Sequence, residues 1–157
     1  FEKGRNLEYL RASINRATKS GILFCTAAGN QSNIQGNLLA ENPLVISVGA
    51  CDSNGFMQQY SNLSLQLARN GLLAPGLRIP AIDGTGAKRA FTGTSAATPF
   101  VAAALALLKS ALPDASPETL RAAILKFGTG QRNSLIPPTL QVWRTYLELV
   151  KNKTGRF

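Results

Sequence analysis

The sequence predicts an α/β domain with a mostly parallel sheet and helices on both faces of that sheet. Two apolar runs without alternation, residues 22–28 and 44–50, have the pattern of strands that are buried on both sides. Stretches of helical length and periodicity precede and follow these runs. Strands that alternate with helices in this way are typical of α/β domains.

Four segments are predicted to be helices, and they span residues 6–20, 96–108, 116–128 and 139–151. The first repeats apolar side chains at helical spacing and is terminated by Gly21. The second is apolar all round, so we expect it to be buried on every side. The third starts with Ser116 as its N-cap and Pro117 in its first turn. The last is amphipathic, and we expect it to pack on the body of the domain through Leu140, Trp143, Leu147 and Val150.

Short extended segments and turns lie between these helices. Residues 72–74 predict a short strand, which Pro75 and Gly76 close. Residues 77–91 contain an Asp-Gly pair between two short extended pieces, which indicates a hairpin or a loose loop. Residues 31–42 are expected to form a polar loop.

The charge, the lack of histidine and the length of the apolar stretches limit the possible functions. The chain has 157 residues, with 17 Lys and Arg against 8 Asp and Glu, and no histidine. Because the cations are scattered and lack interleaved aromatic residues, the charge indicates solubility rather than nucleic-acid binding. A reaction that needs an imidazole base must obtain it from outside this sequence. No membrane span is expected, since no stretch reaches the ~18 apolar residues required.

Cys25 and Cys51 both lie in apolar, strand-like runs. Such positions predict buried free thiols, although the sequence leaves a disulfide between the two open. Neither cysteine has the spacing of a metal ligand. No acidic cluster has the spacing of a calcium site. The sequence therefore predicts no metal site and no cofactor.

A serine at position 95 opens the predicted apolar helix, within the segment Gly93–Pro99. The first turn of a helix leaves backbone N–H groups without helical partners and carries a positive dipole end. Such groups can stabilise a negative oxygen that develops on a substrate carbonyl. A simpler role also stays open, because Ser95 or Thr94 can cap the helix without any chemical function.

The segment Thr26–Asn30 ends the first predicted strand with two alanines, a glycine and an asparagine. The small residues leave room for a pocket, and the side-chain amide of Asn30 can donate a hydrogen bond to an oxyanion. Asparagine is also common in turns, so this segment alone does not define a site.

Together, and in this order, the two segments resemble motifs of the subtilisin-like serine proteases, the subtilases. Ala27–Asn30 is similar to the family's oxyanion-asparagine motif, and Gly93–Ser95 with the following Thr98-Pro99 is similar to its catalytic-serine motif. Further similar segments lie at residues 45–52, 60–62, 74–76 and 116–128. The resemblance covers residues 7–130, and we expect residues 131–157 to form a C-terminal extension with a helix.

The resemblance implies roles for particular residues. Ser95 would be the nucleophile, and Asn30 would stabilise the oxyanion together with the backbone N–H of Ser95. The substrate-binding positions that it implies are Ala27, Ala28, Gly29 and Thr94. The family's triad runs Asp, His, Ser along the chain. We therefore expect the Asp and the His to lie upstream, so that residues 1–157 are the C-terminal part of a single, incomplete catalytic domain that is inactive alone.

The resemblance also implies peptide or protein substrates and a secreted or periplasmic location. Family members often bind calcium, but no site for it is identified here. One alternative is a non-catalytic relative of the subtilases that binds peptides or a partner protein. A second, weaker alternative is a generic α/β domain that binds nucleic acid through its basic surface.

Overall fold

The fold is built on a three-stranded parallel sheet. The computed structural model describes residues 2–130 and 135–154. The strands are β1 (Cys25–Ala27), β2 (Ile46–Cys51) and β3 (Gly71–Pro75), and they lie in that order in the sheet. Thr26 is in register with Ser47, and Val48 with Leu72. The prediction of a parallel α/β domain is confirmed.

Helices connect and cover the strands. In the described part of the chain they are α1 (Glu2–Lys19), α2 (Leu65–Asn70), α3 (Thr94–Ala111), α4 (Pro117–Lys126) and α5 (Val142–Thr154). A 3-10 helix, Leu38–Glu41, lies inside the predicted polar loop. The hydroxyl of Ser116 accepts a hydrogen bond from the N–H of Thr119 at 3.1 Å, so the predicted N-cap of α4 is confirmed.

Alternate residues of β2 face different helices. Val48 belongs to the same buried cluster as Val101 of α3. A methyl group placed on Gly49, the next residue, would meet Leu67 of α2 at 3.6 Å. Because successive strand residues point to opposite faces, α2 and α3 lie on opposite faces of the sheet, and the prediction of helices on both faces is confirmed.

Helix α3 forms the centre of the hydrophobic core. Its buried face contacts all three strands of the parallel sheet. The buried apolar residues of α3 are Ala97, Val101, Ala104, Leu105 and Leu108. Full burial of one such valine or leucine side chain stabilises the fold by about 1.5–3 kcal/mol. The position of the first turn of α3 is therefore fixed by its packing on the sheet.

The prediction that α3 is buried on every side is wrong. Phe100 is 40% exposed and Leu107 is 66% exposed, and both lie away from the sheet. The sheet covers only one face of the helix, and the described residues supply no second layer that would cover Phe100 and Leu107 fully. Helix α3 thus has more apolar side chains than the described residues of this chain bury.

Length and composition alone would allow α3 to cross a membrane, although the sequence predicted no such segment. Core helices pass the same test, and α3 packs against β1, β2 and β3. The helix is therefore weak evidence for a membrane span.

Three further predictions need correction. Within the apolar run 22–28 the strand spans only Cys25–Ala27, because the N–H of Ile22 bonds to the Ala17 carbonyl at 3.0 Å and continues the end of α1. Helix α2 was missed, since it has only six residues; its one local signal is the N-cap Ser64. Trp143, expected on the buried face of the last helix, is 69% exposed. Of the predicted extension 131–157, residues 131–134 and 155–157 lie outside the described residues.

Residues 77–91 form a hairpin, which decides between the two predicted alternatives. Strands β4 (Ile79–Ile82) and β5 (Lys88–Phe91) pair antiparallel. The turn is closed by Asp83, whose N–H bonds to the carbonyl of Ala87 at 2.9 Å. The hairpin lies between β3 and α3 in the chain, so it precedes the predicted catalytic serine directly.

Substitution of Gly76 by alanine tests the close contact between β3 and α3. An added methyl group would lie 2.6 Å from the Cβ of Ala50, 2.8 Å from the Gly93 carbonyl oxygen and 3.2 Å from the Cβ of Ala97. We expect Gly76→Ala to lower the free energy of unfolding by about 1–3 kcal/mol, the cost of overpacking a core. Urea unfolding of the protein measures this change.

Gly84 provides the matched control, because nothing lies within 4 Å of a methyl group added there. Gly84→Ala should change the free energy of unfolding by no more than about 0.5 kcal/mol. Equal losses for the two variants would contradict the packing described here.

Candidate active site

The candidate site lies where the carboxyl ends of the strands meet the first turn of α3. Asn30 follows β1, and Gly76 follows β3. In open α/β sheets, ligands bind in the crevice outside the carboxyl ends of the parallel strands. The two segments that the sequence singled out, around Asn30 and around Ser95, are thus at the end of the sheet where a site is expected.

Asn30 is joined to Thr94 by two hydrogen bonds. Its side-chain oxygen, Oδ1, accepts from the backbone N–H of Thr94 at 2.9 Å and from the Thr94 hydroxyl at 2.9 Å. These bonds connect residues that are 64 positions apart in the sequence. With the oxygen engaged in this way, the NH₂ group of Asn30 is left as the donor that can face a ligand.

The hydroxyl of Thr94 donates one hydrogen bond and accepts another. It donates to Asn30 and accepts a hydrogen bond from the N–H of Gly29 at 3.2 Å. Thr94 is completely buried. Because a buried hydroxyl is costly unless it is bonded, Thr94 and Asn30 hold each other in one orientation. The resemblance implied a substrate-binding position for Thr94; in the structure it is the first residue of α3, and its hydroxyl bonds to the segment that follows β1.

Glycine is required at position 93. Its φ angle is +145°, a conformation that other residues rarely adopt. A methyl group here would also lie 3.1 Å from Nδ2 of Asn30. The N–H of Gly93 donates to the carbonyl of Gly76 at 2.8 Å, and the hydroxyl of Tyr60 donates to the same oxygen at 2.8 Å. The start of α3 is therefore fixed to the end of β3.

Ser95 is exposed in the first turn of α3, one residue beyond Thr94. Its hydroxyl has no hydrogen-bond partner among the described residues, and neither does Nδ2 of Asn30. The helix N-terminus adds a positive dipole end and the N–H of Ser95, which has no partner among the described residues, whereas the N–H groups of Thr94 and Ala96 are bonded. The Asn30–Thr94 bonds thus place an amide donor beside the helix turn that carries the exposed Ser95, and such donors can stabilise an oxyanion.

The predicted pocket residues lie on the approach to Asn30. Ala28 is buried, and its N–H donates to the carbonyl of Val48 at 2.9 Å. The carbonyl of Ala27 accepts a hydrogen bond from the Asn37 side chain at 2.9 Å. Ala27 and Gly29 are half-buried. Their role in lining a substrate pocket stays a prediction.

Asn62 is a positioning residue that the sequence did not assign. It is buried, and its backbone N–H donates to the Gly29 carbonyl at 3.0 Å. Its side chain accepts from the N–H of Gln31 and donates to Oε1 of Gln31, both at 2.8 Å. The N–H of Asn30 also donates to that Oε1, at 3.1 Å. Only the resemblance of residues 60–62 to a family motif marked Asn62 in the sequence.

No histidine is available to accept a proton at this site. Histidine is absent from the whole sequence. The two cysteines are free, as the sequence predicted. Burial raises the pKa of Cys25 to about 11, and burial together with the charge of Asp52 raises the pKa of Cys51 to about 11. Both thiols therefore stay neutral near pH 7 and are poor nucleophiles. No group of three metal-ligating side chains occurs within residues 2–130 and 135–154.

Comparison with known proteins defines the class of this domain. The chain belongs to the subtilase family, which it matches over residues 2–135. It is 32% identical over 120 residues to the thermostable alkaline protease of Halalkalibacterium halodurans, a match that covers 76% of this chain and 32% of that protein. The chain thus spans about a third of the length of this relative.

Solved structures agree with this assignment. The self-cleaved protease domain of PatA superimposes with a TM-score of 0.81 at 27% identity, covering 90% of this chain and 55% of that chain. The PatG macrocyclase in complex with peptide gives a TM-score of 0.77 at 27% identity, covering 88% of this chain and 46% of that chain. The subtilisin-like fold and the parallel sheet predicted from the sequence are confirmed.

Replacement of Thr94 by valine tests the link between Asn30 and Gly29. The variant keeps the shape of the side chain but leaves the Gly29 N–H and Oδ1 of Asn30 without the hydroxyl. We expect a loss of about 1–3 kcal/mol in the free energy of unfolding, the cost of an unsatisfied buried group. We also expect faster hydrogen exchange at the Gly29 amide, measured by NMR.

Thr94→Ser serves as the control, since it keeps the hydroxyl and removes one methyl group. The Gly29 amide should exchange as slowly as in the wild type. Equal exchange rates in the valine and serine variants would show that the hydroxyl does not hold this segment.

Proposed function

We propose that residues 1–157 form the C-terminal half of the catalytic domain of a serine endopeptidase. Ser95 is the nucleophile, and Asn30 with the backbone N–H of Ser95 forms the oxyanion hole. The observation that carries this proposal is the pair of bonds from Thr94 to Oδ1 of Asn30. They leave the Asn30 NH₂ group as a fixed donor beside the helix turn that bears the Ser95 hydroxyl.

The reaction follows from these groups. A histidine base takes the proton from the Ser95 hydroxyl as its oxygen attacks the peptide carbonyl. The carbonyl oxygen becomes an oxyanion that accepts hydrogen bonds from Asn30 and Ser95 N–H. The C–N bond then breaks, and the histidine gives its proton to the departing amine. The acyl group is now bound to Ser95 as an ester. A water molecule, which gives its proton to the histidine, attacks this ester through a second oxyanion. The bond to Ser95 then breaks, the histidine returns the proton to the Ser95 oxygen, and the carboxylic acid product is released.

The base and its orienting carboxylate are proposed to come from a segment upstream of residue 1. This chain has no histidine, and it spans about a third of the length of the alkaline protease it matches. Strand β1 is an edge strand in the described sheet, with one partner, β2. An upstream strand can pair with its open edge, and an upstream helix can cover the exposed apolar face of α3 that carries Phe100 and Leu107.

Peptides are the proposed substrates. The family supports this class, and the PatG macrocyclase, a structural neighbour, was solved in complex with peptide. Ala27, Ala28 and Gly29 would form one wall of the pocket for the residue before the cleaved bond. Small residues here leave space for a side chain, and the buried Thr94 keeps the end of the wall in place.

Labelling with a fluorophosphonate tests the roles of Ser95 and Asn30. The reagent reacts only with an activated serine. Full-length protein should be labelled, and Ser95→Ala should remove the label entirely. Asn30→Asp keeps an oxygen that accepts from Thr94 but removes both N–H donors, so the labelling rate and kcat should fall about 10²–10³-fold, as on loss of one oxyanion-hole donor.

Asn33→Ala is the matched control, because Asn33 is an exposed asparagine in the same loop whose side chain hydrogen-bonds only to Gln35 among the described residues. It should label at the wild-type rate. A folded full-length protein that is not labelled at all would favour the alternative, a non-catalytic subtilase relative that binds peptides or a partner protein.

The isolated 157-residue chain should hydrolyse peptides at a negligible rate, because serine without a base is a poor nucleophile at neutral pH. A turnover assay on the purified fragment measures this, with circular dichroism as the check that it is folded. Addition of the upstream segment should restore cleavage. Ser95-dependent cleavage by the fragment alone, near the rate of the intact protein, would contradict the proposed division of the site.

A further inference from the structure

The hairpin β4–β5 differs from the rest of the fold in its exposure. It forms a separate two-stranded sheet, and neither strand has a second neighbour among the described residues. Seven of its eight strand residues are exposed; Ile79 is half-buried. A two-stranded hairpin alone is only marginally stable in water. Both of its outer edges can therefore accept another extended segment.

The hairpin region carries an excess of positive charge. Between residues 77 and 93 the cations are Arg78, Lys88 and Arg89, and the acid is Asp83. Asp83 pairs with Arg89. The hydroxyl of Thr85 and the Arg89 guanidinium lower the pKa of Asp83 to about 2, so this pair stays ionised at neutral pH. Within the described residues, Arg78 and Lys88 have no carboxylate partner.

Exposed apolar side chains lie beside these cations. Ile82 is in register with Lys88, and Phe91 with Ile79. Ile82 is 69% exposed and Phe91 is 42% exposed. Because paired residues share a face of a hairpin, Ile82 lies on the face of Lys88, and Phe91 lies with Ile79 on the opposite face. The face of Lys88 thus combines an unpaired positive charge with an exposed apolar side chain, which suits a segment that contains both carboxylates and apolar side chains.

The hairpin is attached directly to the candidate active site. The N–H of Arg78 donates to the Thr92 hydroxyl at 3.0 Å, which joins the base of the hairpin just before the Gly93 turn. At about 3.3 Å per extended residue, Phe91 lies at most about 13 Å from Ser95, and Lys88 at most about 23 Å. An extended peptide that lies over Ser95 reaches the hairpin within about four to seven residues.

We propose that the hairpin β4–β5 binds an acidic segment of the peptide substrate, about four to seven residues from the bond that is cleaved at Ser95. This inference rests on the proposed function and adds a substrate class to it. The carboxylates pair with Arg78 and Lys88, and the peptide backbone extends along an open edge of the hairpin. Nucleic acid is a weaker candidate, because two unpaired cations with one neighbouring aromatic ring make a small polyanion surface.

Peptide binding to the full-length protein with Ser95→Ala tests this inference, since the peptide is then not consumed. The probes are fluorescent peptides of equal length with a cleavable bond at their centre. Each carries either Glu or Gln at about the fourth to seventh residue from that bond, on its N-terminal or its C-terminal side. In about 50 mM salt we expect about fivefold tighter binding of one Glu peptide, the gain from two exposed ion pairs. The preference should disappear in 1 M salt.

The double variant Arg78→Gln with Lys88→Gln should abolish the preference for Glu. Lys19→Gln with Arg144→Gln removes the same charge from exposed positions on α1 and α5 and should leave the preference intact. A preference that survives the hairpin variant, or that the control variant loses equally, overturns the inference. So does a duplex DNA that binds the hairpin more tightly than the Glu peptide and loses affinity in the hairpin variant.

Fluorophosphonate labelling of the wild-type protein separates the two proposals. If labelling occurs but Glu and Gln peptides bind equally, the hairpin does not select acidic substrates and the proposed function stands. If the full-length protein is not labelled, the proposed function fails, whatever the peptides show.

Discussion

The candidate site depends on the paired hydrogen bonds between Asn30 and Thr94. They join the end of β1 to the first turn of α3, across 64 residues of sequence. Without them the carboxamide of Asn30 could rotate, and its oxygen rather than its NH₂ group could face the substrate. A donor that is held before the reaction needs no reorganisation when the oxyanion forms, and this preorganisation is the main source of electrostatic stabilisation in such sites.

These bonds in turn require that the sheet and α3 meet at a fixed distance. The carbonyl of Gly76 accepts hydrogen bonds from both Gly93 and Tyr60, so the start of α3 is bonded to the residue that follows β3. The buried face of α3 then packs on the strands along its length. Burial of apolar surface therefore supplies the free energy, and a few hydrogen bonds at the helix N-terminus set the geometry.

Local signals in the sequence predicted much of this fold, and tertiary contacts explain what they missed. Local residues determine the strand in the run 44–50 and the N-cap at Ser116, and both were predicted. Helix α2 is too short for a periodic pattern, and the exposure of Leu107 depends on which layers are present around α3. Ser95 and Asn30 were found from their residue types and the motifs around them. The positioning role of Asn62 arises only because folding places it beside Gly29 and Gln31.

The proposed function divides the catalytic groups between two parts of one domain, and the division has a physical consequence. The oxyanion donors are oriented by contacts within this chain, chiefly by Thr94 and Asn62. The histidine base would be positioned only when an upstream segment packs on the open edge of β1 and the apolar face of α3. Assembly of the two parts would therefore control proton transfer from Ser95 and leave the oxyanion hole unchanged. Since a serine hydroxyl reacts slowly without a base, this arrangement would keep the nucleophile inactive until the hydrophobic face of α3 is covered.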